Sequence, residues 1–360
     1  MPLRRLPMLE LPDAEKAAWA AAQEGLAAAD SPFFRPEFAE CAASVRGGVE
    51  VALPGGGGWL PYHRDRRGVA GGPAGHLSDF EGGVIAADAG FDADAFVREA
   101  GLRAWRFHHL ISGHPGSAAH AMSVAESPFV DLSGGYDAYH AERRAARSRL
   151  FKEIGRKARK ARREHEVRFT LDDRDPAALG WLIEHKSRQL RAMRAWDFFG
   201  VPWTVPLLRA CCGRRGRAFG GLVSTLRHDG RIVAAHLGLR SRHVLHAWTH
   251  VFDAEAAALS PGMVMLCRLL EAAAADGVTR VDLGRGREGY KARFANGGSR
   301  VLEGSVERRA LPRLARRAFY SGRDAVAESA LGPPLRRLVR RTRDALRSLG
   351  RDRAGLPSPT

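Results

Sequence analysis

HVLHAWTHVFDAEAAALSPGMVMLCRLLEAAAADGVTRVDLGRGREGYKARF, residues 243–294, is the stretch around which the rest of the chain is read. Val244 to Phe252 alternates as a strand does. His246, Trp248, His250 and Phe252 fall on one face, Leu245, Ala247, Thr249 and Val251 on the other. A loop ending in Ser260-Pro261-Gly262 leads into a helix with Met263, Leu266, Leu270 and Ala273 along one face. Gly277 is suited to end that helix in the left-handed conformation. A second strand, Val278 to Leu283, is broken by Gly284-Arg285-Gly286. Strand, helix and strand with a crossover of this length predict a parallel pair. A helix start presents unpaired backbone N–H groups and the positive end of a dipole. Ser260, Gly262 and Met263 therefore form a ready phosphate site just beyond the first strand, and Pro261 fits the first turn because its missing N–H is no loss there.

The 360 residues are enough for two or three domains of ordinary size. Hydrophobic residues make up 45% and aromatics 8%, which allows a large core and excludes global disorder. The formal net charge is +17, and only six of the 57 basic residues are Lys. Such a chain favours anionic partners: nucleotide phosphates, lipid or sugar phosphates, membrane surfaces, nucleic acid. Cys41, Cys211, Cys212 and Cys267 form no Cys-x-x-Cys pair. They suit a reducing compartment and give neither a disulfide framework nor a metal site. MPLRRLPMLELPDAEK lacks the apolar run of a signal peptide, and no run is long enough to cross a bilayer. The expected location is the cytoplasm.

Earlier in the chain, residues 13–29 read as a helix with Asp13 as N-cap, and a second helix opens at Ser31-Pro32 and reaches Val45. Val49–Leu53 and Trp59–His63 read as a hairpin, His76-Leu77-Ser78-Asp79-Phe80 leads into a strand reaching Ile85, Phe91–Ala100 is a helix and Leu102–Leu110 a strand. Gly134-Gly135 marks a boundary. Arg143 to Arg163 carries 11 Lys and Arg against one acid, Glu153, as a solvated linker helix or an anion-binding ridge would. Then come a strand at Glu166–Leu171, helices at Pro176–Ala192 and Trp203–Cys212, and a hairpin of Ala218–Arg227 with Ile232–Leu239 turned by Asp229-Gly230. His236 lies among small residues on the second of these strands, where it could line a pocket. Arg300–Glu307 is the last strand. The tail from Arg308 to Thr360 has 14 Arg and four acids, with basic amphipathic helices expected at Arg313–Phe319 and Leu335–Leu349.

Gly289-Tyr290-Lys291-Ala292-Arg293-Phe294 and the Ser-Pro-Gly helix start together resemble the GNAT superfamily of acyl-CoA-dependent transferases. The run Asp282-Leu283-Gly284-Arg285-Gly286-Arg287-Glu288-Gly289-Tyr290-Lys291-Ala292-Arg293-Phe294 is similar to the hallmark of a subgroup, the cellulose-biosynthesis-type (BioF2-like) acetyltransferases. That subgroup is related in turn to the peptidoglycan-bridge aminoacyltransferases, which carry two GNAT-like halves. Ala257-Ala258-Leu259-Ser260-Pro261-Gly262 departs from the usual GNAT loop, so acyl-CoA is implied by the subgroup alone.

The resemblance implies an α/β (α+β) fold of two tandem GNAT-like domains, mixed and mostly antiparallel sheets flanked by helices, with a basic helical C-terminal tail. The divisions are a degenerate GNAT-like domain at 1–135, the acyltransferase domain at 136–310 and the tail at 311–360. It implies acetyl-CoA or another acyl-CoA as donor and no metal. The acceptor would be a sugar, an envelope or exopolysaccharide precursor, or an amine. Tyr290 is the expected acid for the leaving thiolate. His236, His246, His250, Asp282 and Glu288 are candidate bases, with Asp282 also able to orient Arg285 or Lys291 and Glu288 able to pair with Arg293. Ser260, Gly262, Met263, Thr249 and His250 are the donor-binding set, and Trp248, Arg285, Lys291 and Arg293 the substrate-binding set, with Arg287 a further anion-binding side chain. A zinc site on His246 and His250 lacks supporting ligands. Two other classes stay open: an aminoacyl-tRNA-dependent transferase, which the basic ridge and tail suit, and a non-catalytic binding protein. The tail could also hold the protein at the anionic inner face of the cell membrane.

Overall fold

The computed structural model describes residues 3–286 and 289–328. From the N-terminus run β1 (Arg4–Pro7), α1 (Asp13–Gly25), α2 (Pro36–Val45), β2 (Val49–Leu53), β3 (Leu60–Arg64), β4 (Val69–Gly71), α3 (Ala93–Glu99), β5 (Ala104–Ile111) and β6 (Ala121–Asp131). Two helices follow, α4 (Gly135–Ala146) and α5 (Ser148–Glu164). The chain continues through β7 (Val167–Thr170), α6 (Pro176–Ala192), α7 (Thr204–Gly213), β8 (Gly220–His228), β9 (Arg231–Arg240) and β10 (Val244–Phe252). It ends with α8 (Pro261–Ala275), β11 (Arg280–Asp282), α9 (Lys291–Phe294), β12 (Gly297–Glu307) and α10 (Ala310–Glu328).

The strands form one mixed, mostly antiparallel sheet in the order β1-β2-β3-β4-β5-β12-β6-β11-β10-β9-β8-β7, flanked by helices. Only β4–β5 and β10–β11 pair in parallel among these ladders. The last strand, β12, returns to lie between β5 and β6, so the sheet runs without a break past Gly134-Gly135. The expected strand–helix–strand unit is present as β10, α8 and β11. Its helix ends as its sequence suggests. Gly277 has φ +84, its N–H donates to Ala274 O at 3.0 Å, and Val278 N–H donates to Ala273 O at 2.9 Å. These are the two bonds of a Schellman cap. Asp229 (φ +49) and Gly230 (φ +78) make the turn between β8 and β9, both in the left-handed region that a two-residue hairpin demands.

Three apolar clusters hold the layers. The first packs Trp19, Phe33, Phe34 and Phe38 against Leu182, Leu207, Leu237 and Leu239, tying α1 and α2 to α6, α7 and β9. Trp19 is fully buried and its Nε1–H donates to Phe34 O at 2.9 Å, so the indole costs no unmet hydrogen bond. The second joins Val264, Met265, Leu269 and Leu270 of α8 to Leu245, Val281, Phe294 and the inner face of α5, Phe151 and Ile154. The third lies between α3 and strands β3, β5 and β12.

Several expectations are corrected. Ala247 stands opposite Gly238 and Thr249 opposite Leu237, so Trp248 is the extra residue of a β-bulge. One inserted residue reverses the alternation: His246 and Trp248 face the first cluster, while Ala247, His250 and Phe252 face the other side. Residues 78–85 make no strand; a 3-10 turn at Gly75–Leu77 leads into extended chain. Asp13 is the first helical residue, preceded by Pro12, and caps with no side-chain bond. β1, β4, β6 and α4 were not anticipated, and the basic helix is split at Arg147. The second strand is shortened to Arg280–Asp282. The first tail helix spans Ala310–Glu328 and lies on the sheet; Leu335–Leu349 falls outside the described residues.

Candidate active site

The parallel ladder of β10 and β11 stops at His246–Asp282. Beyond that pair β10 runs on to Phe252, while the other strand turns away through Gly284 (φ +73) and Gly286 (φ +97). A gap opens between them, and α8 begins at its edge. Ser260, which precedes the helix, is held in the left-handed conformation (φ 49, ψ 51) and no side chain caps the first turn. The Lys157 ammonium of α5 donates to Ser260 Oγ at 2.7 Å. A helix start beside a lysine has the charge that suits a phosphate. A Cβ on Gly262 would press on the Phe252 ring at 3.1 Å, so the ring would have to shift by a few tenths of an ångström.

Inside the gap is an apolar cavity of about 270 Å³, lined by His236, Ala247, His250, Phe252, Ala257, Ser260, Gly262, Met263, Met265, Leu266, Leu269 and Tyr290. The Tyr290 and His250 rings meet edge to face, centroids 4.8 Å apart. Burial raises the Tyr290 phenol above its usual range, and the Asp79 carboxylate adds to the effect, so the phenol keeps its proton. Burial lowers His236 to about 3, helped by His250 and His246, and His250 to about 4, helped by Lys186 and Lys291. Both rings are neutral at physiological pH. Neither ring nitrogen of His236 has a partner, so this histidine lines the pocket but is a poor proton acceptor.

The other face of β10 borders a larger, polar cavity of about 820 Å³. Its walls include Ser78, Asp79, Glu81, His109, Trp196, Trp203, Trp248, Arg285 and Glu303. Trp248 is fixed by its Nε1–H, which donates to Leu77 O at 3.2 Å. Asp79 Oδ2 lies 2.9 Å from Nε2 of the fully buried His246, and Asp79 Oδ1 lies 3.9 Å from His109 Nδ1. Burial pushes the Asp79 carboxyl up. The His246 hydrogen bond and the charges of His246, His109 and Lys291 outweigh that and hold it below the carboxylate range. Gly284 closes this knot. A Cβ on it would stand 3.5 Å from Asp79 Oδ2, 3.6 Å from Lys291 Nζ and 3.8 Å from His246 Nε2. Lys291 Nζ donates to Arg285 O at 2.8 Å and Gly284 O at 3.2 Å, and Arg285 pairs with Glu303. Glu81, 5% exposed, accepts from His108 N–H at 2.9 Å. Burial raises it to about 7 against the pull of the His108 and His109 N–H groups, with Glu303 and Asp79 adding to the rise.

The sequence of residues 148–292, less than half of the chain, matches a family model described as an acetyltransferase (GNAT) domain. Over that stretch the chain has a GNAT-type domain. No curated protein matches the sequence. The fold is similar to that of FemX, with a TM-score of 0.55 at 7% identity, over 87% of this chain and 99% of that one. It is also similar to the C-terminal domain of a putative lysylphosphatidylglycerol synthetase from Agrobacterium fabrum, with a TM-score of 0.52 at 15% identity, over 88% of this chain and 98% of that one. A conserved protein of unknown function from Bacteroides thetaiotaomicron gives a TM-score of 0.50 at 9% identity, over 84% of this chain and 100% of that one. At these identities the likeness is one of fold.

Within the GNAT-type domain, Ser260, Gly262, Met263, His250, His236 and Tyr290 converge on the apolar cavity. Trp248 and Arg285 face the polar one, with Lys291 at its edge. Thr249 lines neither. Because of the bulge, His246 and His250 open onto different sides of β10 and share no metal site. Asp282 is 2% exposed and sealed in the sheet; it pairs with Arg280 Nε at 3.1 Å instead of Arg285 or Lys291 and reaches neither cavity. Arg293 is exposed beside Arg147 and Arg149 at a separate open hollow. Arg287 and Glu288 fall outside the described residues. Among the described residues no three metal-ligating side chains cluster. Asp79, Glu81 and His109 are the additions that sequence reasoning did not assign to the site.

Proposed function

We propose that the chain is an acyltransferase that takes an acyl group, acetyl in the simplest case, from acyl-CoA. The group passes to a nitrogen or oxygen of a sugar, an envelope or exopolysaccharide precursor, or an amine, as in the cellulose-biosynthesis-type acetyltransferases. The observation that carries this reading is the apolar cavity that runs from the uncapped start of α8, with Lys157 beside it, to the Tyr290 phenol. A pyrophosphate suits the first point, and a thin apolar thioester arm suits the cavity. The donor supplies an activated acyl carbon, and the residues do the rest. Ser260, Gly262 and Lys157 hold phosphate oxygens. Met263, His250 and Phe252 orient the arm and exclude water.

In the polar cavity, ionised Asp79, steadied by His246, orients the acceptor. Glu81, raised to about 7, takes up the acceptor's proton as its new bond to the acyl carbon forms. As the carbon–sulfur bond breaks, Tyr290 gives its proton to the departing thiolate. The bulge at Trp248 lets one strand serve both cavities. On this reading residues 136–310 are the catalytic unit and 1–135 a degenerate half that lends Asp79 and Glu81. The four free cysteines fit a cytoplasmic setting.

Calorimetric titration with acetyl-CoA and with CoA, at moderate salt, tests the donor. Saturable binding at one site is expected, weakened roughly tenfold or more by Lys157→Ala through loss of a charge-assisted contact. No saturable binding of either compound sinks the proposal.

A second reading, transfer from an aminoacyl-tRNA, is favoured by α5. Its Arg149, Lys152, Arg156, Arg159 and Arg163 are all exposed and recur at helical spacing, a straight row of cations. A gel shift with bulk tRNA that weakens steeply with salt, and is lost when those five become Gln, would support it. Binding indifferent to the five substitutions would dismiss it.

A further inference from the structure

Helix α10 is mounted with its polar side inward. In a soluble domain a surface helix buries its apolar stripe and shows its charges to water. Here Arg316 Nε pairs with Glu307 at 2.9 Å, Arg323 pairs with Glu303, and Arg313 Nη2 donates to Glu307 O at 3.4 Å, all toward β12. Tyr320, 4% exposed, is the apolar anchor on that side. The outer side carries Leu311 at 81% exposure, Leu314 at 63% and Phe319 at 62%, with Ala315 and Ala318 between them. Arg308, Arg309 and Arg317 are exposed around this strip. Residues 329–360, which lie outside the described residues, add eight Arg against two Asp.

We propose that the outer face of α10 is a docking surface for an anionic lipid bilayer. An exposed strip of Leu and Phe bordered by arginines matches the two layers of a membrane interface. The apolar side chains enter the acyl boundary and the guanidinium groups meet phosphate at headgroup level. Charge argues for lipid as the occupant. The whole chain carries +17, so a second copy would bring arginine against arginine, whereas an anionic bilayer satisfies both the apolar and the charged residues. The attachment is peripheral, since among the described residues no helix is long and apolar enough to cross a membrane. The same helix is tied through Arg323 to Glu303, a wall residue of the polar cavity, so docking holds that cavity close to lipid.

Sedimentation of the full chain with vesicles tests the surface. It is expected to pellet with phosphatidylcholine–phosphatidylglycerol vesicles, and less with phosphatidylcholine alone or in high salt. Combining Leu311→Ser, Leu314→Ser and Phe319→Ser should lower the partition coefficient about tenfold or more. These side chains touch little, so the unfolding temperature and donor binding of this variant should match the parent's. Three results overturn the proposal. The first is a full chain that does not pellet with the mixed vesicles. The second is a triple variant that pellets as the parent does, which moves binding to residues 329–360 or another surface. The third is a dimer, seen by light scattering, that the triple variant dissolves without any vesicle binding, which makes the face an interface between copies.

Discussion

The two cavities on either side of β10 differ in how they are built. The apolar one draws its lining from residues 236–290, a single run of chain folded as strand, strand, helix and turn. The polar one is assembled from residues 63–109, 196–203, Trp248, Arg285 and Glu303. The first holds neutral groups: two histidines lowered to about 3 and about 4 and a phenol that keeps its proton. The second holds charge: ionised Asp79 and Glu303, and a glutamate raised to about 7. A compact motif is enough to make a dry slot beside a helix start. Arranging several carboxylates so that their ionisation differs takes residues far apart in sequence, because each must be desolvated by a different element. In a transferase the dry slot suits the invariant donor and the charged assembly suits the particular acceptor.

That division is broken most sharply at Tyr290. On the proposed mechanism, Tyr290→Phe removes the proton given to the leaving group and leaves the cavity's shape. Turnover should fall about 100- to 10,000-fold, the usual contribution of one acid or base, with the dissociation constant for CoA unchanged. Single-turnover kinetics beside calorimetry reads both quantities. Equal losses in binding and turnover would make Tyr290 a wall of the slot and nothing more.

Glu81 tests the charged side. Its folded pKa, about 7, lies above the unfolded value of 4.5. The folded state therefore holds its proton where the unfolded state has lost it. Stability is greatest below pH 4.5 as far as this group is concerned, declines as pH rises toward 7, and is flat above. The full difference is on the order of 3 kcal/mol. Glu81→Gln should flatten that decline in denaturant titrations run from pH 4 to 9. If Glu81 is the proton acceptor as proposed, turnover rises through neutral pH in the parent, and Glu81→Gln should abolish that rise. A parent rate that does not change across neutral pH would take the proton-accepting role from Glu81 while leaving its effect on stability in place.

The contiguous cavity was legible because its signals are local. Pro261 and Gly262 announce a helix start, Gly277 a helix end, and the alternation in Val244–Phe252 a strand. The bulge at Trp248 left no local mark: Trp is as ordinary in a regular strand as in a bulge, and only the pairing with Gly238 and Leu237 reveals it. It moved His250 and Phe252 to the side of the apolar cavity and left His246 and Trp248 on the other. β6 was hidden by Pro128, since a proline argues against a central strand. Pro128 stands just past the end of the β6–β11 ladder at Phe129–Asp282, where a missing N–H costs little, and its carbonyl accepts from Leu283 N–H at 3.0 Å. Amphipathicity in the tail was readable, yet which face of α10 meets the sheet depends on Glu303 and Glu307, acids of another element.

The smallest effect expected is at Gly284, which lies against Asp79, Lys291 and His246. Its φ of +73 is one that side-chain-bearing residues rarely adopt. A Cβ would find ordinary contact distances of 3.5 to 3.8 Å to Asp79, Lys291 and His246, with no clash. Gly284→Ala should therefore cost about 1 kcal/mol of stability, from backbone strain alone. Donor affinity should not change, because the apolar cavity does not include this residue. The constant for the acceptor should rise, because the added methyl lies against Asp79. A variant that loses donor affinity instead would mean that the glycine turn shapes the slot as much as the charged knot. The separation of donor and acceptor sides by β10 would then be less complete than the two linings suggest.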